Sequence, residues 1–557
     1  MEMKWTPRQQ KQSRLTQLDT EFSSWMTEYR DIARYLTPRR GRFIHTDRNK
    51  GGNRQHSILD STGTYALHIL QAGMMSGATS PARPWFRLAI PDKDLMDYGP
   101  VKIWLNDVTL IMRDIFARSN TYRTLPGMYR ELGAFGTAAD FVDNNFDNVI
   151  HHHAMTIGEY RISTDDLGYV DTLYRKFDMT VAQVVRKFGY EKCSMRTRNI
   201  WDNFNYDAWV TIVHATEPRR ERNPKKRDAV NMPFSSCYFE EGTEEQGKPF
   251  LSESGFEEFP FLVPRWDVIG GDIMGSGPGS EALGDLQQLQ HEQMRKGQGI
   301  DFQTRPPMQA SGQMKGNEAN MLPGGVTYFE QAGQGVGLSP AFQSSLRLDY
   351  LLQDIEDVRK RIKQCFHSDL FLMLANDNRS NITAREIAER HEEKLTMLGP
   401  VLERLHDEML SPLIDITFSK MVRANILPPP PEELQGMDLN VEFVSMLAQA
   451  MRAAGIGSID RLLGTVGAVM QMKQDAIDKV DTDTLIDKYG DMLGVDPDLI
   501  VANDEVAIIR QNRAQAAAQA QQMAAAQQMA KTAKTMSETN TDGNNALTQV
   551  AGQMQGA

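Results

Sequence analysis

The sequence predicts an α+β protein in which helices predominate. Apolar residues recur at spacings of three and four over long stretches, most clearly from Leu346 to Phe371. Two stretches, residues 140–178 and 208–266, change to a period of two, which is typical of strands. A glycine-rich break at residues 275–279 then precedes an unusually polar helical pattern. With 557 residues, the chain has room for about three or four compact regions.

Composition excludes several classes of protein. The net charge of −12 argues against a protein that clamps nucleic acid over its whole surface. Cys193, Cys237 and Cys365 are scattered and odd in number, so they predict neither a disulfide framework nor a zinc site. No apolar run reaches 18 residues and the amino terminus lacks a signal-peptide core, so we expect no secretion and no membrane span.

The polar helix predicted after the glycine-rich break is the most unusual feature of the chain. Ser280 is a candidate N-cap, and the helix should continue to about Ile300, roughly 30 Å. A short apolar stripe gives way to polar residues along it: Gln290, Gln293, Arg295, Lys296 and Gln298. Such a helix is either a strut beside copies of itself, with its polar face toward a solvent-filled space, or an ordinary surface helix.

Nucleotide-binding and metal sites are not predicted. Ser280 and Glu281 stand where a Walker loop needs Lys followed by Ser or Thr, and Ser280 replaces the last glycine of the dinucleotide pattern. The run His151–His153 lies in a predicted strand. Its side chains therefore alternate between faces and cannot converge on one metal ion.

The amino-terminal half alternates helical and strand patterns. We predict helices at 8–36, 58–75, 100–119, 125–139 and 180–188, and strands at 208–215, 235–239 and 259–265. Trp85 and Phe86 should anchor their segment on a core.

Two charge blocks of opposite sign lie within the second strand-rich stretch. The basic block is Arg219, Arg220, Arg222, Lys225, Lys226 and Arg227, and the acidic block is Glu240, Glu241, Glu244 and Glu245. They are solvated loops, or they pair between neighbouring subunits, or they present a docking rim to partners.

The carboxy-terminal half is predicted to be helical after a glycine-rich, nearly neutral loop at 303–343. The stripe from Leu346 to Phe371 predicts a rod of roughly 40–45 Å. Thr383 opens a capping box, and the next helix should kink near Pro400 and Pro412. Residues from about 505 to 536 form an Ala/Gln-rich helix that needs neighbours, and 537–557 are expected to be disordered.

Four segments occur in a distinctive order. They are Leu70-Gln-Ala-Gly-Met-Met-Ser-Gly with Ser80-Pro-Ala-Arg-Pro-Trp-Phe86, Phe135-Gly-Thr-Ala-Ala139, Phe261-Leu-Val-Pro-Arg-Trp266, and Gly275-Ser-Gly-Pro-Gly-Ser-Glu-Ala-Leu-Gly-Asp-Leu286. In this order they resemble the portal proteins of tailed bacteriophages, the head-to-tail connector family of short-tailed phages. The likeness covers roughly residues 10–500.

The resemblance implies a ring, typically of twelve subunits, with named regions. They are a wing (1–178), a first stem helix (179–204), a β-rich clip (205–265), a second stem helix (266–302), a tunnel loop (303–340), long wing or backbone helices (341–400), a helical crown (401–503), a C-terminal helix that can form a barrel (504–536) and a disordered tail (537–557).

The function implied by the resemblance is a structural DNA conduit without catalysis or cofactor, at the portal vertex of the virion, made in the host cytoplasm. Implied partners are double-stranded DNA, the large terminase subunit, scaffolding and major capsid proteins, and a tail adaptor, with no membrane. Candidate DNA-facing positions are Arg295, Lys296, Arg305 and Lys315. The alternative is a DNA-processing enzyme, a nuclease or a nucleotide-driven motor component, for which no carboxylate or phosphate-loop spacing stands out.

Overall fold

Helices occupy more residues than strands in the structure, a computed structural model, and the predicted mixed class with more helix than sheet is confirmed. The structure describes residues 5–43, 57–96, 98–226, 228–242, 249–304, 308–309, 339–340, 348–375, 398–434, 439–445, 462–466, 468, 480–486, 501 and 503–538. Two units are present: Met1–Pro91 with Ile103–Ala454, and Asp92–Lys102 with Gly455–Ala557.

The amino-terminal helices lie close to their predicted positions, but the first is broken. They are α1 (Pro7–Ser23), α2 (Met26–Tyr35), α3 (Thr62–Ala78), α4 (Lys93–Met96), α5 (Gly99–Arg118) and α6 (Thr121–Phe135). A single helix over 8–36 is wrong. The hydroxyls of Ser23 and Ser24 donate to the carbonyls of Thr20 and Glu21 at 2.6 and 2.9 Å, and such local bonds compete with continuation of the helix.

Strands from both strand-rich stretches form one five-stranded antiparallel sheet. Its strands lie in the order β4 (Tyr160–Thr164), β5 (Val170–Thr180), β6 (Trp209–Pro218), β7 (Phe234–Glu240), β8 (Ser252–Phe256). Arg175 of β5 lies opposite His214 of β6. Strands of the predicted β insertion and of the predicted β-rich clip therefore share this sheet, because β5 and β6 pair along eight residues. Strand β8 was not predicted.

Smaller pairings complete the strands. A three-stranded sheet has the order β3 (Val149–Met155), β2 (Ala139–Asn145), β9 (Phe261–Leu262), so the strand predicted over 259–265 has two residues. Strand β1 (Phe86–Ala89) pairs with β12 (Asn440–Phe443), and β10 (Met308–Gln309) pairs with β11 (Ser339–Pro340). The rest of the predicted tunnel loop lies almost entirely outside the described residues.

Two short helices, α7 (Val181–Phe188) and α8 (Met195–Asp202), occupy the predicted first stem helix. Thr180 and Gln183 form a capping box at the start of α7. Gly189 ends α7 with a φ of 90°, a conformation that favours glycine, and a 3₁₀ turn at Tyr190–Lys192 follows. The helix predicted over 180–188 is therefore confirmed as α7, and the region 179–204 contains a second, separate helix.

The central polar helix starts earlier than predicted. A first turn, α9 (Pro278–Glu281), has Gly277 as its N-cap, and α10 (Leu283–Thr304) follows after Ala282. Ser280 lies inside that turn and is not the N-cap, because Pro278 has the fixed φ that suits a first helical position. Helix α10 packs against α11 (Leu348–Cys365) and α2.

The later helices follow the predicted apolar stripes but are interrupted. The rod breaks between α11 and α12 (Ser368–Ala375), where His367 has a φ of 50°. A π-helical turn, His406–Leu410, precedes the helix Ser411–Arg423, because Pro412 has no N–H to continue the regular ladder. The Thr383 capping box lies outside the described residues.

The Ala/Gln-rich helix extends from Asn503 to Glu538, roughly 54 Å, as predicted from composition. The side chains of residues 507–529 are all exposed. No helix among the described residues is long and apolar enough to cross a membrane.

Apolar packing holds α1 on the five-stranded sheet. Leu15 and Leu18 of α1 lie in one buried cluster with Tyr174, Val213 and Phe239. Elsewhere, the predicted anchors Trp85 and Phe86 are 1% and 0% exposed, and Trp85 stacks on Phe116 while Phe86 meets it edge-on. These aromatic contacts confirm the predicted core position of the segment.

The glycine-rich segment before α10 crosses the end of α6 at backbone contact. Gly136 has a φ of 71°, and a Cβ built there would lie 2.4 Å from the carbonyl oxygen of Gly275. A Cβ on Gly279 would lie 2.0 Å from the carbonyl oxygen of Ala134. The glycines are therefore required by space, and the crossing fixes where α10 begins.

We predict that Gly279→Ala lowers the free energy of unfolding by about 2 kcal/mol or more, because the added methyl group meets backbone that cannot move away. The measurement is denaturant unfolding followed by circular dichroism.

The matched control is Gly297→Ala in α10, where a Cβ meets nothing within 4 Å. Alanine favours the helix there, so this variant should gain up to about 1 kcal/mol. Equal stability of the two variants would contradict the close-crossing explanation.

Candidate channel helix and subunit-contact residues

Two glutamines of α10 bond within the chain instead of facing a wet space. Gln290 is 5% exposed, and its Oε1 accepts from the backbone N–H groups of Leu59 and Asp60 at 2.6 and 2.8 Å. Its Nε2 donates to the carbonyl oxygen of Asp60 at 3.0 Å. Gln293 donates to the Asp60 carboxylate at 2.9 Å. The prediction of a polar face turned entirely toward solvent is therefore wrong for these two residues.

Asp60 joins three elements through its carboxylate. Thr62, at the start of α3, donates to Oδ1 from its N–H and hydroxyl at 2.9 and 2.6 Å. Arg359 of α11 donates to Oδ2 from Nη2 and Nε at 2.7 and 3.0 Å. Burial opposes ionisation, but the hydrogen bonds from Thr62 and Arg359 outweigh it and lower the pKa of Asp60. The carboxylate is thus held as an anion that ties α10 and α11 to the start of α3.

Sequence reasoning missed this junction. Arg359 is one of many charged residues on the polar face of α11, and Asp60 reads as an ordinary residue before a helix. The two are 299 residues apart in sequence, so no local pattern connects them.

The rest of α10 presents an open face. Exposed residues on this face include His291, Met294, Arg295, Gln298 and Phe302, and Lys296 is half-buried. Of the predicted DNA-facing positions, Arg295 and Lys296 therefore lie on one helix and differ in exposure. Arg305 and Lys315 lie outside the described residues.

Most of the predicted basic block forms an exposed loop between β6 and β7. Arg220, Arg222, Lys225 and Lys226 are exposed. Arg219 instead turns inward, donating to Glu253 Oε1 at 3.1 Å and to the carbonyl oxygen of Ser254 at 2.9 Å. Arg227 lies outside the described residues.

The predicted acidic block is not a continuous surface. Glu240 is 3% exposed, and its carboxylate accepts from Ser194 N at 2.9 Å and from Thr197 Oγ1 at 2.7 Å. Its assignment to a docking rim or subunit contact is wrong, because its carboxylate caps the start of α8 in the interior. Glu241 is half-buried and pairs with Lys176 at 3.3 Å. Glu244 and Glu245 lie outside the described residues.

One buried set of side chains has the order found in hydrolase triads. Thr121 Oγ1 lies 2.9 Å from His152 Nε2, and His152 Nδ1 lies 2.5 Å from Asp140 Oδ2. All three residues are at most 3% exposed, so no substrate reaches the threonine hydroxyl. The set joins α6 to β2 and β3 and works as a structural bridge.

The neighbouring histidines behave as strand geometry predicts. His151 and His153 share the opposite face of β3, with ring centroids 4.9 Å apart. In the part of the chain that the structure describes, no group of three or more His, Cys, Asp or Glu side chains is placed to hold a metal ion.

A second buried histidine lies between two sheets. His214 is 0% exposed, stacks on Tyr238 with ring centroids 4.0 Å apart, and has Ser236 Oγ 2.9 Å from its Nε2. Burial, followed by the charges of Arg175 and Lys187, lowers its pKa well below the ordinary value of 6.5. His214 is therefore neutral in the folded protein.

Within the described residues, the distinctive polar groups join helices and sheets or lie in exposed loops, and the triad-like set is closed to solvent.

Comparison with known proteins identifies the family. The family model described as bacteriophage head to tail connecting protein matches residues 8–501. The chain is 53% identical over 538 residues to a probable portal protein of Bordetella phage BPP-1, with 97% of each chain covered. It is 45% identical over 538 residues to a portal protein of Salmonella phage epsilon15, with 96% of each covered. The chain belongs to the bacteriophage head to tail connecting protein family, and the predicted resemblance is confirmed.

Solved structures resemble the chain only weakly. The neck of an empty GTA particle, computed with C6 symmetry, has a TM-score of 0.36 and 12% identity, covering 79% of this chain and 91% of that one. A score of this size does not by itself establish a common fold.

We predict that Gln290→Leu lowers the free energy of unfolding by about 2 kcal/mol, because the isosteric side chain leaves backbone N–H groups of residues 59 and 60 without their acceptor. The measurement is thermal or denaturant unfolding. Gln298→Leu, at an exposed position on the same helix, should change stability by at most about 0.5 kcal/mol. If Gln290→Leu lowered the free energy of unfolding no more than Gln298→Leu does, the hydrogen bonds of Gln290 would contribute little to stability.

We predict that stability falls as pH drops below 6.5. His214 stays neutral when folded but takes up a proton when unfolded, so its stabilising effect is complete above pH 6.5 and is lost below it. One such group contributes at most about 1.4 kcal/mol per pH unit.

His214→Gln should flatten this dependence between pH 6.5 and 5, measured as unfolding free energy at each pH. His153 lies nearby with a pKa lowered to about 4, chiefly by burial, so part of the slope should remain. An unchanged slope in the variant would assign the effect to other groups.

Proposed function

We propose that the chain assembles into a ring at the portal vertex of a phage virion and forms the channel through which double-stranded DNA enters and leaves. The observation that carries the proposal is family membership over residues 8–501, together with portal-protein relatives that align along nearly their whole length. A structural role follows from those names, in preference to a DNA-processing enzyme.

Helix α10 supports this proposal as the channel helix. One face is fixed by the Asp60 junction and by buried Leu286 and Leu289, while Met294 is 49% exposed and Phe302, on the opposite face, is 48% exposed. Exposed apolar side chains on a helix fixed on its other side suit packing against a neighbouring copy. In such a ring, Arg295 and Lys296 would face the DNA backbone, with Arg305 and Lys315 in the adjoining loop.

The negative net charge suits a channel through which DNA passes better than a surface that binds DNA tightly. Each copy carries a net charge of −12, so a ring multiplies a field that repels phosphate. A few cations on the channel helix would then position DNA without holding it tightly. Sliding requires this combination, because tight neutralisation of many phosphates would stop the DNA.

The exposed C-terminal helix fits the same assembly. Residues 507–529 are exposed, and isolated alanine-rich helices are marginal in water. Copies of the helix Asn503–Glu538 arranged around an axis would shield one another and form the barrel that the sequence suggests. Twelve subunits, the wing, stem, clip and crown regions, and the terminase, capsid, scaffolding and tail-adaptor partners belong to this proposal through the resemblance to portal proteins.

We predict that the purified chain forms closed rings, visible in axial views by negative-stain microscopy, and sediments as an oligomer. Arg295→Glu should leave the rings intact and reduce the DNA retained per particle in a packaging assay, because a carboxylate in the channel repels phosphate.

Arg30→Glu, with the same charge change at an exposed position of α2, is the control and should package normally. A chain that remains solitary under assembling conditions would overturn the ring. Metal-dependent DNA cleavage or nucleotide hydrolysis by the chain, abolished by one carboxylate substitution, would favour an enzyme instead.

A further inference from the structure

An exposed group of aromatic and acidic residues lies where α8 meets β6. We call Asp202, Phe204, Tyr206, Asp207 and Trp209 the acid–aromatic patch. Phe204 is 79% exposed, Trp209 54% and Tyr206 37%, and both aspartates are exposed. Neighbouring aromatic side chains left in water at this density mark an interaction surface.

The acid–aromatic patch is held in shape by its own backbone. Phe204 has a φ of 58°, a left-handed conformation that costs free energy for a bulky side chain. Hydrogen bonds fix the segment on both sides: Asn205 N–H donates to the carbonyl oxygen of Ile200 at 3.1 Å, and Ala182 N–H to that of Tyr206 at 3.1 Å. The conformation that exposes Phe204 is therefore imposed by the surrounding structure.

The chemistry of the patch suits cationic side chains. The Tyr206 ring makes edge contacts with Trp201 and Phe204, with ring centroids 4.6 and 6.2 Å apart. Ring faces attract guanidinium and ammonium groups, and the carboxylates of Asp202 and Asp207 add direct ion pairing. A structured basic segment is the partner that this surface fits.

The chain itself carries such a segment, the loop of residues 219–226, which we call the basic loop. Arg220, Arg222, Lys225 and Lys226 form no ion pair with other described residues. Asn223 and Asn231 fix the loop: Asn231 Oδ1 accepts from Asn223 N–H at 2.9 Å, and Asn223 Oδ1 accepts from Lys225 N–H at 3.1 Å. Its cations are thus presented on an ordered support.

The two surfaces lie at opposite ends of one strand. β6 begins at Trp209, in the acid–aromatic patch, and ends at Pro218, just before the basic loop. Ten residues at about 3.3 Å each separate them by about 30 Å, so they cannot meet within one chain. A second copy can bring them together, and a contact between two different surfaces of identical chains is the kind that closes into a ring.

We propose that the basic loop of one copy docks on the acid–aromatic patch of the next copy. The inference rests on the proposed ring, and it replaces Glu240, which is buried, as the acidic partner of the basic block. The contact joins four cations to two carboxylates and three aromatic rings, so it weakens as salt concentration rises.

A charge exchange tests the pairing in the full-length chain. Arg220→Glu with Arg222→Glu should raise the protein concentration needed for assembly at least about tenfold, and Asp202→Arg with Asp207→Arg should do the same. Combining all four substitutions should restore assembly to within about threefold of the original chain. The readout is the oligomer fraction by mass photometry across a dilution series.

Two further variants test whether a change in net charge or a loss of folding could explain the result. Arg30→Glu with Lys363→Glu makes the same net charge change at exposed positions outside both surfaces and should assemble normally. Phe204→Gly removes the aromatic ring and relieves the left-handed strain, so assembly should weaken while the melting temperature stays level or rises.

The outcomes separate this contact from the proposed function. If the unmodified chain forms rings and the one-sided variants also do so normally, the contact is wrong and the ring stands. If the one-sided variants fail and the exchange does not restore assembly, the pairing of these two surfaces is wrong, and the basic loop binds another acidic partner or DNA. If the unmodified chain never assembles, the ring itself is wrong.

Discussion

The close crossing of two backbone segments, at Gly136 and at Gly275 to Gly279, is the constraint on which the rest of the structure depends. Trp266 N–H donates to the carbonyl oxygen of Gly136 at 2.8 Å, and Gly275 N–H donates to Thr137 Oγ1 at 2.8 Å, so the crossing is also hydrogen-bonded. Because no side chain fits between the segments, α9 and α10 start directly against the end of α6. The Asp60 junction then fixes α10 along its length, and the remaining face of the helix is left for other copies.

The polar residues of this protein fall into two groups, buried and exposed. Buried ones, such as Glu240, His152 and Asp60, are hydrogen-bonded inside the chain and hold helices to sheets or to other helices. Exposed ones, such as Arg295 and the cations of the basic loop, have no such role among the described residues and are available to partners. This separation explains how a chain with an arrangement as suggestive as Thr121, His152 and Asp140 carries out a structural task. The Thr121, His152 and Asp140 side chains are closed to solvent, so they stabilise packing, and the proposed function depends on exposed surfaces.

The acidic net charge and the local basic surfaces are compatible in a ring. Repulsion of phosphate by the whole proposed ring would keep DNA mobile, while in the proposed contact between neighbouring copies cations would meet aromatic rings and carboxylates. The basic loop and the acid–aromatic patch supply these groups at opposite ends of β6. Subunit contacts and DNA contacts would then use different cations, with the basic loop serving the first and α10 the second.

The sequence by itself determined the helical stripes, the glycine-rich break before α10, the order of motifs and, through that order, the family, because each of these depends on local periodicity or residue type. Only the tertiary structure decided that the glycine-rich segment crosses the end of α6 at backbone contact, that β5 and β6 share one sheet and that Glu240 is buried. It also decided that Gln290 and Gln293 bond to Asp60, which Arg359 reaches from 299 residues away. Strand pairing and buried ion contacts join residues that are distant in sequence, and no local pattern carries the information about which partner each one meets.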